Sequence, residues 1–325
     1  MRSRLILIGT GGTIAATAPV AQKLTDYEVT QGIARMLAAV PGAAGLADIR
    51  CEQLCNLDSR AMNASWVLRL ARRIRQHAES PDIDGIVITH GTDTLEETAF
   101  FLHLTIHTAK PVVLVGAMRP GSALSADGPL NLYNALLVAR DAASHNRGIL
   151  VAMNDQILAA RDVTKLSTTQ VQAFGADGQG VLGAICDGTV RYAARPDLPP
   201  EAVFPLRGLR SLPAVDIILD YQDAPLHPYQ AAVRAGSRGI VVAGMGNGSL
   251  SPAAERGCAQ AIRQGLVCVR ASRVPRGAVT PKSGDTATGL LAAHGLNALQ
   301  ARIALRLALA HGWNRSQVEA ILPCL

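Results

Sequence analysis

Two stretches of the chain place chemistry-bearing side chains on what read as tight turns. Residues 9–15 run Gly-Thr-Gly-Gly-Thr-Ile-Ala, and residues 90–98 run His-Gly-Thr-Asp-Thr-Leu-Glu-Glu-Thr. In the first, three glycines let the backbone approach a ligand closely and leave N–H groups free to bind an anion or an oxyanion. In the second, the Thr92 hydroxyl stands beside the Asp93 carboxylate, although Asp93 taken alone is equally an N-cap for a following helix. Lys165, one of only four lysines, offers a third group. If it reaches Thr92, its amine can serve as base while Asp93 orients substrate or base. Thr, Lys and Asp together make an amide-hydrolysing set that needs no metal. Nucleotide motifs fit poorly: a dinucleotide fingerprint would need Gly or Ala at Ile14, and no phosphate loop ending in Gly-Lys-Ser/Thr occurs. His103 and His107 have metal-ligand spacing but no evident third ligand, so a surface pair is expected. Cys51 and Cys55 are expected to pack along a strand.

The elements that must position these residues show in the apolar pattern. Short runs at Leu5–Ile8, Ile86–Thr89, Val112–Val115 and Ile149–Met153 are each bounded by Gly or a polar turn and followed by helical periodicity. That alternation predicts an α/β fold with a parallel sheet covered by helices on both faces, and ligands beyond the carboxyl ends of the strands. A helix from Asn63 to Glu79 is expected, with Asn63 as N-cap, an apolar face and a solvated cluster of Arg69, Arg72, Arg73 and Arg75. Asp187-Gly188, between alternating arms, signals a hairpin. Five prolines in residues 193–213 predict an extended linker. A second, smaller α/β unit follows, with strands near Val215–Leu219, Gly239–Ala243 and Leu266–Arg270 and helices near Pro228–Ala235, Pro252–Gln264 and Asn297–His311. The expected organisation is therefore 1–192, a linker 193–213, and 214–325.

With 325 residues, of which 49% are hydrophobic and 17% charged, the chain has material for about two cored domains. Its longest uncharged apolar stretches fall short of the roughly 18 residues that span a membrane. The start, Met-Arg-Ser-Arg and four apolar residues before Gly9, lacks the apolar region of about 7 to 15 residues of a secretory signal, so a cytoplasmic protein is expected. Six scattered cysteines without a CxxC pair signal neither zinc nor a disulfide framework. The net charge of +6 is dispersed and aromatics are only 3%, which argues against nucleic acid and for a field that favours anionic or zwitterionic small molecules.

Taken together, these residues resemble the type II bacterial L-asparaginase family. The likeness rests on GTGGTIA at Gly9–Ala15, ITHGTDTLEET at Ile88–Thr98, Gly116-Ala117-Met118-Arg119-Pro120, Ser125-Ala126-Asp127-Gly128-Pro129, Asn154-Asp155 through Lys165, and Ser272-Arg273-Val274-Pro275. The resemblance implies two Rossmann-like or flavodoxin-like α/β domains and cofactor-free hydrolysis of L-asparagine to L-aspartate and ammonia, with some glutaminase activity. It implies Thr13 as nucleophile with Tyr27 beside it on a mobile lid of about residues 14–30, and Thr92, Asp93 and Lys165 as a second cluster. Ser59 matches the position that binds the substrate α-carboxylate, Asp93 the α-ammonium, and the Ala117 carbonyl the amide. Backbone N–H groups around Thr13 and Thr92 would stabilise the oxyanion, with Gly12 and Gly91 among the substrate-binding residues. The family completes each site with the second domain of a neighbouring subunit in a homodimer or homotetramer.

Three departures bear on substrate. Arg60 stands where relatives usually carry Gln or Glu, and could grip a carboxylate or repel an α-ammonium. Ser249 replaces a common Asn and leaves room for a longer substrate. The acidic residue donated across the interface has no clear match, Asp285 being the only carboxylate in residues 277–289. Alternatives are an amidase of another small amide selected by Arg60, a weakly catalytic amino-acid-binding protein, a glutamine-deamidating subunit of tRNA-dependent amidation, and a nicotinamide-dependent oxidoreductase.

Overall fold

In the first strand, Arg4–Gly11, the side chains alternate between two covered faces, and Leu5, Ile6, Leu7 and Ile8 are all buried. A strand buried on both sides reads as a continuous apolar run, which is what a parallel sheet between helical layers requires. The computed structural model describes residues 2–24, 26–176 and 181–325, and its contacts divide the chain into two units, Met1–Leu206 and Arg207–Leu325.

The first unit holds an eight-stranded sheet. From one edge its strands are Asp48–Leu57, Arg4–Gly11, Gly85–Thr89, Val112–Val115, Ile149–Met153, Gln156–Ala159, Gly183–Cys186 and Thr189–Tyr192. The first five pair in parallel and the last three antiparallel. The antiparallel extension adds to the parallel sheet expected from the sequence. It arises because Asn154 and Asp155 both take positive φ, 47° and 62°, turning the chain back two residues after Met153. Asn and Asp tolerate that conformation better than other side chains. The same geometry recurs at Asp187-Gly188, with φ of 49° and 71°, where the hairpin was expected. One face carries Leu5, Leu7, Val87, Val113 and Leu150 against the helices Ile33–Ala38 and Gly128–Arg140. The other faces the helices Ala64–Glu79 and Leu95–Thr105.

The Ala64–Glu79 helix begins where its cap places it. Asn63 Oδ1 accepts the Trp66 N–H at 3.2 Å, a cap worth about 1 kcal/mol. Its arginines are not simply solvated. Arg73 forks onto Glu52 of the edge strand with Nε and Nη2 at 2.7 and 2.6 Å, while Arg69 lies over the Trp66 ring. The expected histidine surface pair is corrected at His103, which is half-buried against the Phe100 ring, and burial pushes its imidazole down to about 4. Cys51 is exposed on the edge strand and Cys55 buried in it.

The second unit is a four-stranded parallel sheet in the order Val215–Leu219, Gly239–Gly244, Val267–Ser272 and Leu291–Ala292. Helices His227–Arg234 and Pro252–Arg263 pack their apolar stripes on Ile218, Ile240, Val242 and Cys268. Helix Ala298–Ala310 touches the first three strands and starts at an Asn297 cap. A short helix, Ser283–Thr288, fills a stretch to which the sequence pattern assigns no element, and the Asp285 carboxylate turns back to accept the Lys282 N–H at 2.7 Å. Among the described residues, no helix is long and apolar enough to cross a membrane.

Candidate active site

In chain order, the five parallel strands of the first unit lie 2-1-3-4-5, so the order reverses between Arg4–Gly11 and Gly85–Thr89. Ligands of such sheets bind beyond the carboxyl ends of the strands at that reversal. Thr13 follows the first of these strands by two residues and Thr92 follows the second by three.

The two loops touch through glycine. Gly12 has φ of +84°, and a Cβ there would lie 2.3 Å from the Gly91 Cα and N; one on Gly91 would lie 2.7 Å from the Ser59 side chain. Absent side chains at 12 and 91 therefore let the Thr13 turn, the Thr92 turn and Ser59 come together. Thr10 Oγ1 donates to the Thr89 carbonyl at 2.7 Å and ties the strand ends below. Thr13, Thr92 and Ser59 are each buried, while Asp93 is exposed at the mouth.

Each threonine has its own partner. Thr13 Oγ1 lies 2.7 Å from the Tyr27 hydroxyl. Tyr27 arrives on a segment that leaves the Thr13–Ala15 turn and returns through a two-residue antiparallel ladder, Ala16 opposite Val29 and Thr17 opposite Glu28. Thr25, within the span expected to be a lid, lies outside the described residues. The segment is pinned from residues 121–124, where the Gly121 and Leu124 N–H groups donate to the Ala16 and Ala21 carbonyls. Lys165 does reach Thr92: its Nζ donates to Thr92 Oγ1 at 3.0 Å and to Asp93 Oδ1 at 2.7 Å. It ends the strand Val163–Lys165, which pairs with Phe174–Ala176.

Ala117 is fully buried after the Val112–Val115 strand. The Met118 and Arg119 N–H groups both donate to Asp127, at 2.9 Å. Carbonyl and following N–H point in opposite directions in a trans peptide, so the Ala117 carbonyl is turned away from Asp127. Asp127 enters the sequence reading only as part of a shared motif, with no role of its own; its carboxylate serves the preceding loop.

Arg60 follows Ser59 but is already partnered. Its guanidinium meets Asp58 Oδ2 through Nε at 3.0 Å and Nη2 at 2.9 Å, and its N–H donates to Asp58 Oδ1. Burial works against the Asp58 charge, yet the Arg60 side chain and N–H outweigh it and hold that carboxyl below the usual range. The repulsion expected of a bare guanidinium is thus offset in place. In the second unit, Ser249 is exposed and its Oγ accepts from Lys282 Nζ at 3.2 Å. Asp285 is taken up within its own unit by the buried Arg270, whose Nε lies 3.0 Å from Oδ1. A separate open cleft toward the amino ends of Arg4–Gly11 and Asp48–Leu57, lined among others by Arg4, Leu37 and Cys51, contains none of the candidate residues.

Hydroxyls on the strand-end turns of a doubly wound sheet, one bonded to a phenol and one to an amine, are the equipment of an amide hydrolase that works through a side-chain oxygen. The comparisons narrow that class. Residues 4–198 match the model of the asparaginase N-terminal domain and residues 214–322 that of the glutaminase/asparaginase C-terminal domain, so the chain belongs to the asparaginase family. It is 42% identical to L-asparaginase 2 of Bacillus subtilis, over 97% of this chain and 84% of that one. It is 45% identical to a probable periplasmic L-asparaginase of Haemophilus influenzae, over 94% and 88%. A crystal structure of a probable cytoplasmic L-asparaginase from Campylobacter jejuni superposes with a TM-score of 0.94 at 42% identity, covering 99% of both chains.

Proposed function

We propose that the protein hydrolyses L-asparagine to L-aspartate and ammonia, with some activity on L-glutamine. The observation that carries this reading is the pair of hydroxyl clusters at one strand-order reversal: Thr13 with Tyr27, and Thr92 with Lys165 and Asp93. In this scheme Thr13 Oγ attacks the side-chain amide carbon and its proton leaves through Tyr27. The C–N bond breaks, ammonia departs with that proton, and an acyl ester remains on Thr13. Water then attacks the ester, and Thr92, whose oxygen already accepts from Lys165, relays the proton that returns to Thr13 as aspartate forms.

Ser59 would hold the α-carboxylate, Asp93 the α-ammonium and the Ala117 carbonyl the amide nitrogen. Backbone N–H groups beside Gly12 and Gly91 would stabilise the oxyanion, each worth a few kcal/mol. Arg60 and Ser249 would shape the outer wall, Ser249 from the second domain of a neighbouring subunit. The working assembly in this reading is a homodimer or homotetramer of cytoplasmic chains divided as 1–192, 193–213 and 214–325. The chemistry uses no cofactor.

Weak turnover by an amino-acid-binding protein is the second reading, favoured by one observation. Asp285, the only carboxylate in residues 277–289, is engaged by Arg270 and would not be available to a neighbour. Ammonia release from L-asparagine, L-glutamine, D-asparagine and succinamate separates the two, with an acid quench and mass analysis to find the acyl ester. Release from L-asparagine that Thr13→Ala abolishes, with the adduct on Thr13, is expected. Thermal stabilisation by asparagine without turnover would favour the binding protein, and an adduct on Thr92 would reverse the roles of the threonines.

A further inference from the structure

Behind the Thr92 turn lies a histidine that the scheme above leaves unused. His90 is fully buried, and its own N–H donates to the Val115 carbonyl at 2.8 Å, which extends the strand pairing by one residue. Its Nδ1 lies 2.8 Å from the Gly91 carbonyl oxygen, and its Nε2 lies 2.9 Å from Thr98 Oγ1, one turn into the next helix. A carbonyl oxygen only accepts, so Nδ1 carries the proton. Burial pushes this imidazole down to about 4, so the ring is neutral and Nε2 accepts the Thr98 hydroxyl. One tautomer is therefore held from both sides.

The bond to Gly91 has a consequence one atom further on. The Gly91–Thr92 peptide is trans, so its carbonyl and its N–H point in opposite directions. With the carbonyl drawn toward the buried ring, the Thr92 N–H is turned away from it. We infer that His90 is a positioning residue whose Nδ1–H locks this peptide so that the Thr92 N–H faces the substrate carbonyl as an oxyanion donor, with Thr98 setting the tautomer. The inference rests on the asparaginase reading and on Thr92 belonging to its machinery.

The test measures kcat and KM for L-asparagine in the full-length parent and in His90→Leu, His90→Gln, His90→Asn and Thr98→Val. An Asn side chain puts its N–H where Nδ1 stood; a Gln side chain reaches only the Nε2 position. His90→Leu and His90→Gln are expected to lose about ten- to a hundredfold in kcat with KM little changed, because removing an oxyanion donor outright costs about 10²–10³ and misaligning one costs less. His90→Asn should regain most of that loss, and Thr98→Val should lose less than His90→Leu. If His90→Leu fails to fold, the Asn and Gln variants alone decide. A kcat within twofold of the parent for the Gln variant, no advantage of Asn over Gln, or a change confined to KM overturns the inference. A parent chain that releases no ammonia overturns the functional reading itself, and the inference with it.

Discussion

The two threonine clusters share one crevice and are held by opposite means. Thr92 meets Lys165 from a paired strand, and the Lys165 main-chain N–H is turned toward Glu96 Oε2 on the helix Leu95–Thr105, at 3.3 Å. Lys165 and Glu96 both sit on regular elements, and Thr92 on the short turn between a strand and a helix. Thr13 meets Tyr27 from a segment attached by a two-residue ladder and a few bonds to residues 121–124. Attachments of that kind open at a small fraction of the global unfolding free energy, whereas core elements open only near the full value. In the proposed scheme, one hydroxyl would be preorganised before substrate arrives, and the other would be completed by the more loosely tied segment.

Replacing the two partners is the sharpest way to break this contrast. Lys165→Met should cost about 10³-fold in kcat and Tyr27→Phe about 10²-fold, both within the range of general acid–base losses. Steady-state kinetics on L-asparagine would decide it, and a larger loss for Tyr27→Phe would show that the loosely tied cluster is the more demanding one.

Acid should distinguish the clusters next, because the Thr92 turn contains buried His90 and the Thr13 turn has no counterpart. With a folded value of about 4 against the ordinary 6.5, only the unfolded chain takes up a proton between those limits. The stability that neutral His90 supplies is present above pH 6.5 and is lost as the pH falls toward 4, by about 3 kcal/mol. Urea unfolding between pH 4 and 7 should show that slope on top of the one His103 adds for the same reason, and His90→Asn should remove the His90 share alone. An unchanged slope in the variant would assign the acid sensitivity elsewhere.

The smallest effect belongs to the rim they share. Arg60→Gln removes a guanidinium already satisfied by Asp58, so the ratio of asparagine to glutamine turnover should move by less than about fivefold, the scale of an exposed ion pair. A larger swing, or new activity on succinamate, would make Arg60 the selector.

Much of this arrangement is legible in the sequence. The strands Val112–Val115 and Ile149–Met153 coincide with the apolar runs, since a strand buried on both faces leaves an uninterrupted signature. Thr92, Asp93 and Lys165 could be joined by chemistry before their contact was seen. Tyr27 could be placed only by resemblance, because two-residue strands such as Ala16–Thr17 carry no periodicity to read. Ser283–Thr288 was hidden in the same way: a helix of six small and polar residues has no apolar stripe, and a single carboxylate starts it. His90 and Asp127 were visible as residues but not as roles. Asp127 acts on backbone groups of the preceding loop and His90 on the carbonyl of the residue that follows it, bonds that depend on how the turns are folded and not on residue type.

The glycine contact between residues 12 and 91 has a practical corollary for anyone reshaping substrate range by directed evolution. Any side chain at either position must displace the opposing main chain or Ser59, so libraries that randomise those codons would be spent on distorted crevices. Diversity belongs at an exposed position of the same unit such as Arg60, whose guanidinium meets only the Asp58 side chain across from it. The first unit thus pairs a stretch of backbone that tolerates no added atom with an exposed margin that does.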